Sequence, residues 1–152
     1  MSHRRLALTL GGLLAVAAAP GTAQPGDAHG IRVRAACVQA TPMPRLLADL
    51  SCERAMDCWG DPSALDVLDV QTGKRVGSGG NDLVYLDDAG TLRPDPPMQG
   101  TIRAVWTLGL AEPVAARRLQ LVQGDETATA AFDVAADCAV LPAAAVKRLV
   151  GG

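Results

Sequence analysis

Aromatic side chains are scarce: Trp59, Tyr85, Trp106 and Phe132 are the only four in 152 residues. So few rings cannot tile a stacking platform for bases or sugars. Histidine is limited to His3 and His29, and lysine to Lys74 and Lys147. Neither histidine nor lysine lies in a motif that pairs it with a serine or a free thiol, which argues against Ser-His-Asp, Cys-His and Ser-Lys catalysis. The four cysteines show no Cys-x-x-Cys spacing, and no Cys/His pairs stand at zinc-ligand distance. The glycine-rich stretch Gly77-Ser78-Gly79-Gly80 lacks the Lys-Ser/Thr and helix that a phosphate cradle requires. A net charge of −2 leaves no dense basic face for nucleic acid. Long apolar runs are also missing: Leu6 to Ala19, uncharged and rich in Leu and Ala, falls short of the roughly 20 residues that span a bilayer.

That short run has the layout of a cleaved secretory signal over residues 1–23. Arg4 and Arg5 form the basic start, and Pro20-Gly21-Thr22-Ala23 supplies a breaker and small residues before a cut after Ala23. Removing its two arginines makes the remaining chain −4. Residues 24–30 then read as a flexible lead, and 31–152 as a single β-rich domain that is periplasmic or secreted and spans no membrane once cleaved. An alternative cut after Ala28 would make His29 the first residue, where a free amine and an imidazole together suit copper.

Cys37, Cys52, Cys58 and Cys138 all lie beyond the signal. An even count in a small exported chain implies two disulfides. The sequence permits three connectivities. A local Cys52–Cys58 clip with a long Cys37–Cys138 closure is the preferred pairing.

Period-2 alternation dominates the rest. Ile31, Val33, Ala35 and Cys37 share one face of a first strand. Leu65–Val70, Leu83–Leu86 and Thr101–Leu110 read as further strands, with Gly77–Asp82 a loop. Arg118–Val122 and Thr127–Val134 read as a closing hairpin. In Thr101–Leu110, Ile102, Ala104, Trp106 and Leu108 share a core face, while Arg103 and Thr107 fall on the other. Leu46, Leu47, Leu50 and Met56 among charged residues suggest one short amphipathic helix near residues 45–56. Ala143–Leu149 suggests one or two helical turns. The expected fold is therefore mainly β: a small antiparallel sandwich, immunoglobulin-like, or a partly open barrel, carrying two disulfides.

The carboxylate pairs Asp57/Asp61, Asp66/Asp69 and Asp87/Asp88 read as turn caps and solubilising groups rather than catalytic acids. Asp82, Asp87 or Asp88 are the candidates for a lone calcium ion. Trp59 beside Cys58, and Met98 at the end of the run Pro94-Asp95-Pro96-Pro97, are the candidates for a partner surface. The leading functional expectation is a non-enzymatic exported binding or accessory domain, with no cofactor and with another exported protein as partner. Two alternatives differ in kind: a copper-handling protein using His29 with Met43, Met56 or Met98, and a hydrolase inhibitor presenting the Cys52–Cys58 loop.

Overall fold

A computed structural model of the chain describes residues 30–53, 64–112, 114 and 117–151. Among these residues nine strands form one antiparallel sheet: β1 (Arg32–Gln39), β2 (Arg45–Glu53), β3 (Leu65–Asp69), β4 (Lys74–Leu86), β5 (Leu92–Arg93), β6 (Thr101–Leu110), β7 (Arg118–Gln123), β8 (Glu126–Thr127) and β9 (Phe132–Asp133). The path across the sheet is β1-β2-β6-β4-β3-β7-β8, with β5 added to β4 and β9 to β7. The sheet curls into a half-barrel. Its seam is crossed where Ala135 N–H donates to the Ala36 carbonyl at 2.8 Å, within a single parallel bridge between Cys37 and Ala135. Of the two architectures expected, the partly open barrel is the one present. A sandwich would need two sheets, and the ladder here is continuous.

The inner face carries the main core, including Leu46, Ala48, Leu50, Val67, Trp106 and Leu121. A second cluster lies on the outer face: Cys37, Leu47, Leu86 and Val105 pack against Leu141 and Ala145. Its cover is the helix α1 (Ala143–Val150), which starts after Pro142. Three consecutive alanines favour helix here. Ala145, Val146, Leu149 and Val150 turn toward the sheet, while Ala144, Lys147 and Arg148 face solvent. The Cys37–Cys138 disulfide fastens the lead-in of this helix to β1 across a sequence separation of 101 residues.

This outer layer explains the largest difference from the sequence reading. Residues 45–53 are strand β2, not a helix, and residues 46–52 are all buried. A central strand covered on both faces loses its polar/apolar alternation. Asp49, which suggested a wet helix face, is instead buried and ion-paired with Arg103. For the same reason the Arg103/Thr107 side of β6 is covered and not solvated. Cys37 is also displaced from its expected face. A register shift between Val33 and Ala35 leaves Val33 toward the main core and turns Ala35 and Cys37 outward, under the helix.

The stretch Gly77–Asp82, expected as a loop, lies within the single 13-residue strand β4. Glycine serves there by its missing side chain. A Cβ on Gly80 would stand 2.6 Å from the Thr107 carbonyl oxygen of β6, and one on Gly77 would collide with the Gly109 carbonyl. The closing hairpin forms as expected but is interrupted. Fully buried Thr129 accepts from the Leu121 N–H at 3.1 Å and donates to the Ala130 carbonyl at 2.9 Å, bridging the gap between β8 and β9.

Among the described residues one disulfide is found and no cysteine is free. The Cys52–Cys58 expectation falls on Cys58, outside the described residues, while Cys52 is buried in the main core. No helix among the described residues is long and apolar enough to cross a membrane.

Candidate functional site

One surface feature of the described chain is built on the turn between β4 and β5. Asp87 Oδ1 accepts from Thr91 N–H at 2.8 Å, and Gly90, at φ 86°, closes the turn. Beneath it, Arg103 reaches out from β6. Its Nε and Nη2 bind Asp49 Oδ1 and Oδ2 at 3.0 and 2.6 Å, and its Nη1 donates to the carbonyls of Asp87 and Asp88 at 3.3 and 3.1 Å. Hydrogen bonding to Asp49 holds the guanidinium pKa above its ordinary value, so this cation stays charged. One buried ion pair thus positions a surface turn.

The proline run leans on that turn. Pro97, Gln99 and Gly100 border a hollow of about 300 Å³ whose other wall is Leu86, Asp87 and Asp88. Pro96 and Pro97 are half-buried, and Met98 between them and Thr101 is 83 % exposed. Three prolines on a fixed base leave little chain entropy to lose on binding. Leu92, at the foot of the same segment, is the neighbouring exposed apolar residue.

Adjacent to the loop, a groove of about 460 Å³ runs between β5 and α1, lined by Leu83, Val84, Tyr85, Leu92, Arg93 and Arg148, with Pro94 at its lip. It continues past Lys147 toward Gly151 on one side and past Asp82 and Leu149 on the other.

The other candidates fall apart or lie elsewhere. Trp59 is outside the described residues, as are His29, Met56, Asp57 and Asp61. Met43 precedes β2, whose Arg45 pairs with Gly109, whereas Met98 precedes Thr101, which pairs with Glu53. The two methionines therefore stand at opposite ends of β6, on the order of 25 Å apart at the rise of an extended strand. At most one of them can share a metal ion with His29. Asp82 and Asp87 are five residues apart along extended chain, too far to share a calcium ion. No group of three or more potential metal ligands occurs among the described residues.

Asp66 and Asp69 are not a pair either: each binds its own arginine, Arg75 and Arg117 respectively. Asp69 is fully buried and also accepts from the Gln71 and Thr72 N–H groups, at 2.9 and 3.3 Å, shaping the β3–β4 turn. The Arg117 hydrogen bond, helped by those two donors and opposed by burial, holds its carboxyl below the usual 3.8. Of the loop proposed for a hydrolase inhibitor, Glu53 is described. Its Oε1 accepts from Thr101 Oγ1 at 2.8 Å.

Sequence reasoning singled out Met98 but missed the Arg93/Lys147/Arg148 groove. The only local signal was a pair of cations in a final helical turn, which ordinarily complements the helix carbonyl end. No protein-family model, no curated protein and no solved structure matches the chain.

Proposed function

We propose that this chain is an exported, non-enzymatic binding or accessory module, periplasmic or secreted, that engages another exported protein through the Pro94–Gly100 loop. The observation that carries this reading is Met98, 83 % exposed on a proline-stiffened segment seated against a turn that a buried ion pair holds. An anchored, apolar projection binds at low entropic cost, and an isolated exposed methionine adapts well to a partner pocket. Supporting it, the ion pairs Asp49–Arg103, Asp66–Arg75 and Asp69–Arg117 fasten strands and turns to one another. The disulfide agrees with an oxidising compartment.

The test is affinity capture from cell-envelope extract with wild-type protein, Met98→Asp and Met43→Asp. Met43 is 70 % exposed at the opposite end of β6 and serves as the matched control. A partner retained by wild type and Met43→Asp but lost with Met98→Asp supports the loop. Equal retention by all three sinks it.

A further inference from the structure

Arg93, Lys147 and Arg148 converge on the β5–α1 groove from two different elements. Arg148 borders the central groove and both of its extensions; Arg93 lines the central groove, Lys147 lines one extension, and Asp82 lies in the other. Among the described residues no hydrogen bond or ion pair engages any of the three side chains, whereas Arg75, Arg103 and Arg117 each hold a carboxylate. In a chain of net negative charge, three unpaired cations along one concavity are a local reversal of sign. Helix-end complementarity accounts for Lys147 and Arg148. It does not account for Arg93, which stands on the strand wall.

We propose that this groove binds an extended acidic segment of a partner protein, its carboxylates meeting Arg93 and Arg148 and its apolar side chains lying on Leu83, Val84 and Leu92. This rests on the binding-module reading but not on Met98. Three features favour a peptide over a compact phosphate. The cations are spread along the groove rather than focused on a point. The nearby helix end is the carbonyl end, so it offers no ring of backbone N–H groups to cradle a phosphate. The lining combines apolar and cationic side chains, which suits a chain that carries both apolar and acidic groups.

Strand β5 has β4 as its strand neighbour, and one of its two residues directs its N–H and C=O away from β4. Pro94 and the prolines beyond it prevent a longer ladder. Recognition is therefore led by side chains, with charge-assisted Arg–carboxylate contacts carrying it.

The experiment uses a labelled peptide of Glu and Leu interleaved with Ser, and its Gln-for-Glu counterpart, followed by fluorescence anisotropy. Arg93→Glu/Arg148→Glu is compared with Lys74→Glu/Arg118→Glu, which makes the same charge change at exposed, unpartnered sites elsewhere. All four positions are exposed, and unchanged melting temperatures confirm folding. The groove variant should weaken binding of the Glu peptide by about tenfold or more, equal to 1.4 kcal/mol. The distal variant should change it by less than about twofold, in line with the screening of remote surface charge. Equal loss in both variants, or equal binding of the Gln peptide, overturns the proposal. Displacement of the peptide by inorganic phosphate, or preferential binding to phosphatidylglycerol vesicles, also overturns it and assigns the groove to those anions. If the peptide fails to bind while Met98→Asp still abolishes partner capture, the groove proposal falls and the module reading stands.

Discussion

Removing either member of the Asp49–Arg103 pair should cost far more than removing both. The side chains are 4 % and 10 % exposed and share two hydrogen bonds of 3.0 and 2.6 Å. Arg103→Met leaves the Asp49 carboxylate buried without its cation, and Asp49→Leu leaves the guanidinium buried without its anion. Each single change should destabilise the domain by about 3–5 kcal/mol, because a stranded buried charge retains its full desolvation cost. The double variant strands no charge. What it loses is the donor to the Asp87 and Asp88 carbonyls, which sit at the surface where water can replace it, at about 1–2 kcal/mol. The double-mutant cycle should therefore give a coupling of at least about 3 kcal/mol. Guanidinium unfolding at neutral pH under non-reducing conditions, followed by tryptophan fluorescence, measures all four corners. A double variant as unstable as the sum of the singles would refute the reasoning. Arg103→Lys supplies a finer readout. One ammonium cannot bind Asp49 and both carbonyls in the guanidinium's geometry, so hydrogen exchange should rise in Asp87–Gly90 and in the Pro94–Gly100 loop while β1 stays protected.

Three further outcomes follow from the same structure. Trp106, 1 % exposed in the main core, should cost about 3–5 kcal/mol when changed to Ala, and a melting temperature within a degree or two of wild type would remove it from the core. Replacing Cys37 and Cys138 together by Ala should lower stability by roughly 4–5 kcal/mol from the long loop closure and expose α1 to proteolysis; an unchanged unfolding midpoint contradicts this. Asp69 has a depressed folded-state pKa, so its contribution is present above the ordinary 3.8 and is lost as pH falls through the lower folded value. Asp69→Asn should be less stable than wild type at neutral pH and lose less on acidification below about pH 4; parallel curves for the two proteins exclude this role.

The strands that alternate were legible in the sequence. Thr101–Leu110 and Leu65–Asp69 fall where the pattern puts them, and the final helix lies over Ala143–Val150. The helix expected near residues 45–56 and the solvated face expected for Arg103 and Thr107 failed for one cause, a second buried layer. Covering the outer face turned β2 into a continuous buried run that mimics helical spacing, and it placed Asp49 and Arg103 where each looked solvated. No local pattern announces that partnership, because the two residues are 54 positions apart and meet only through the β2–β6 register, in which Ser51 stands opposite Arg103. The glycines of β4 misled for a different reason: Gly77 and Gly80 serve close strand approach, which resembles a flexible loop in sequence. Met98 stood out because prolines and an exposed apolar residue are local features. The cationic groove did not, since Arg93 and Arg148 are brought together by the packing of α1.

The binding-module reading is tested most directly by photo-crosslinking in the cells that make the protein, with a photoreactive residue placed at position 98, 92, 43 or 118. Positions 98 and 92 lie on the proposed face; 43 and 118 are exposed elsewhere. The account predicts one adduct of discrete mass from positions 98 and 92, and none from 43 or 118. Adducts of equal yield from all four positions, or from 43 and 118 alone, would contradict it.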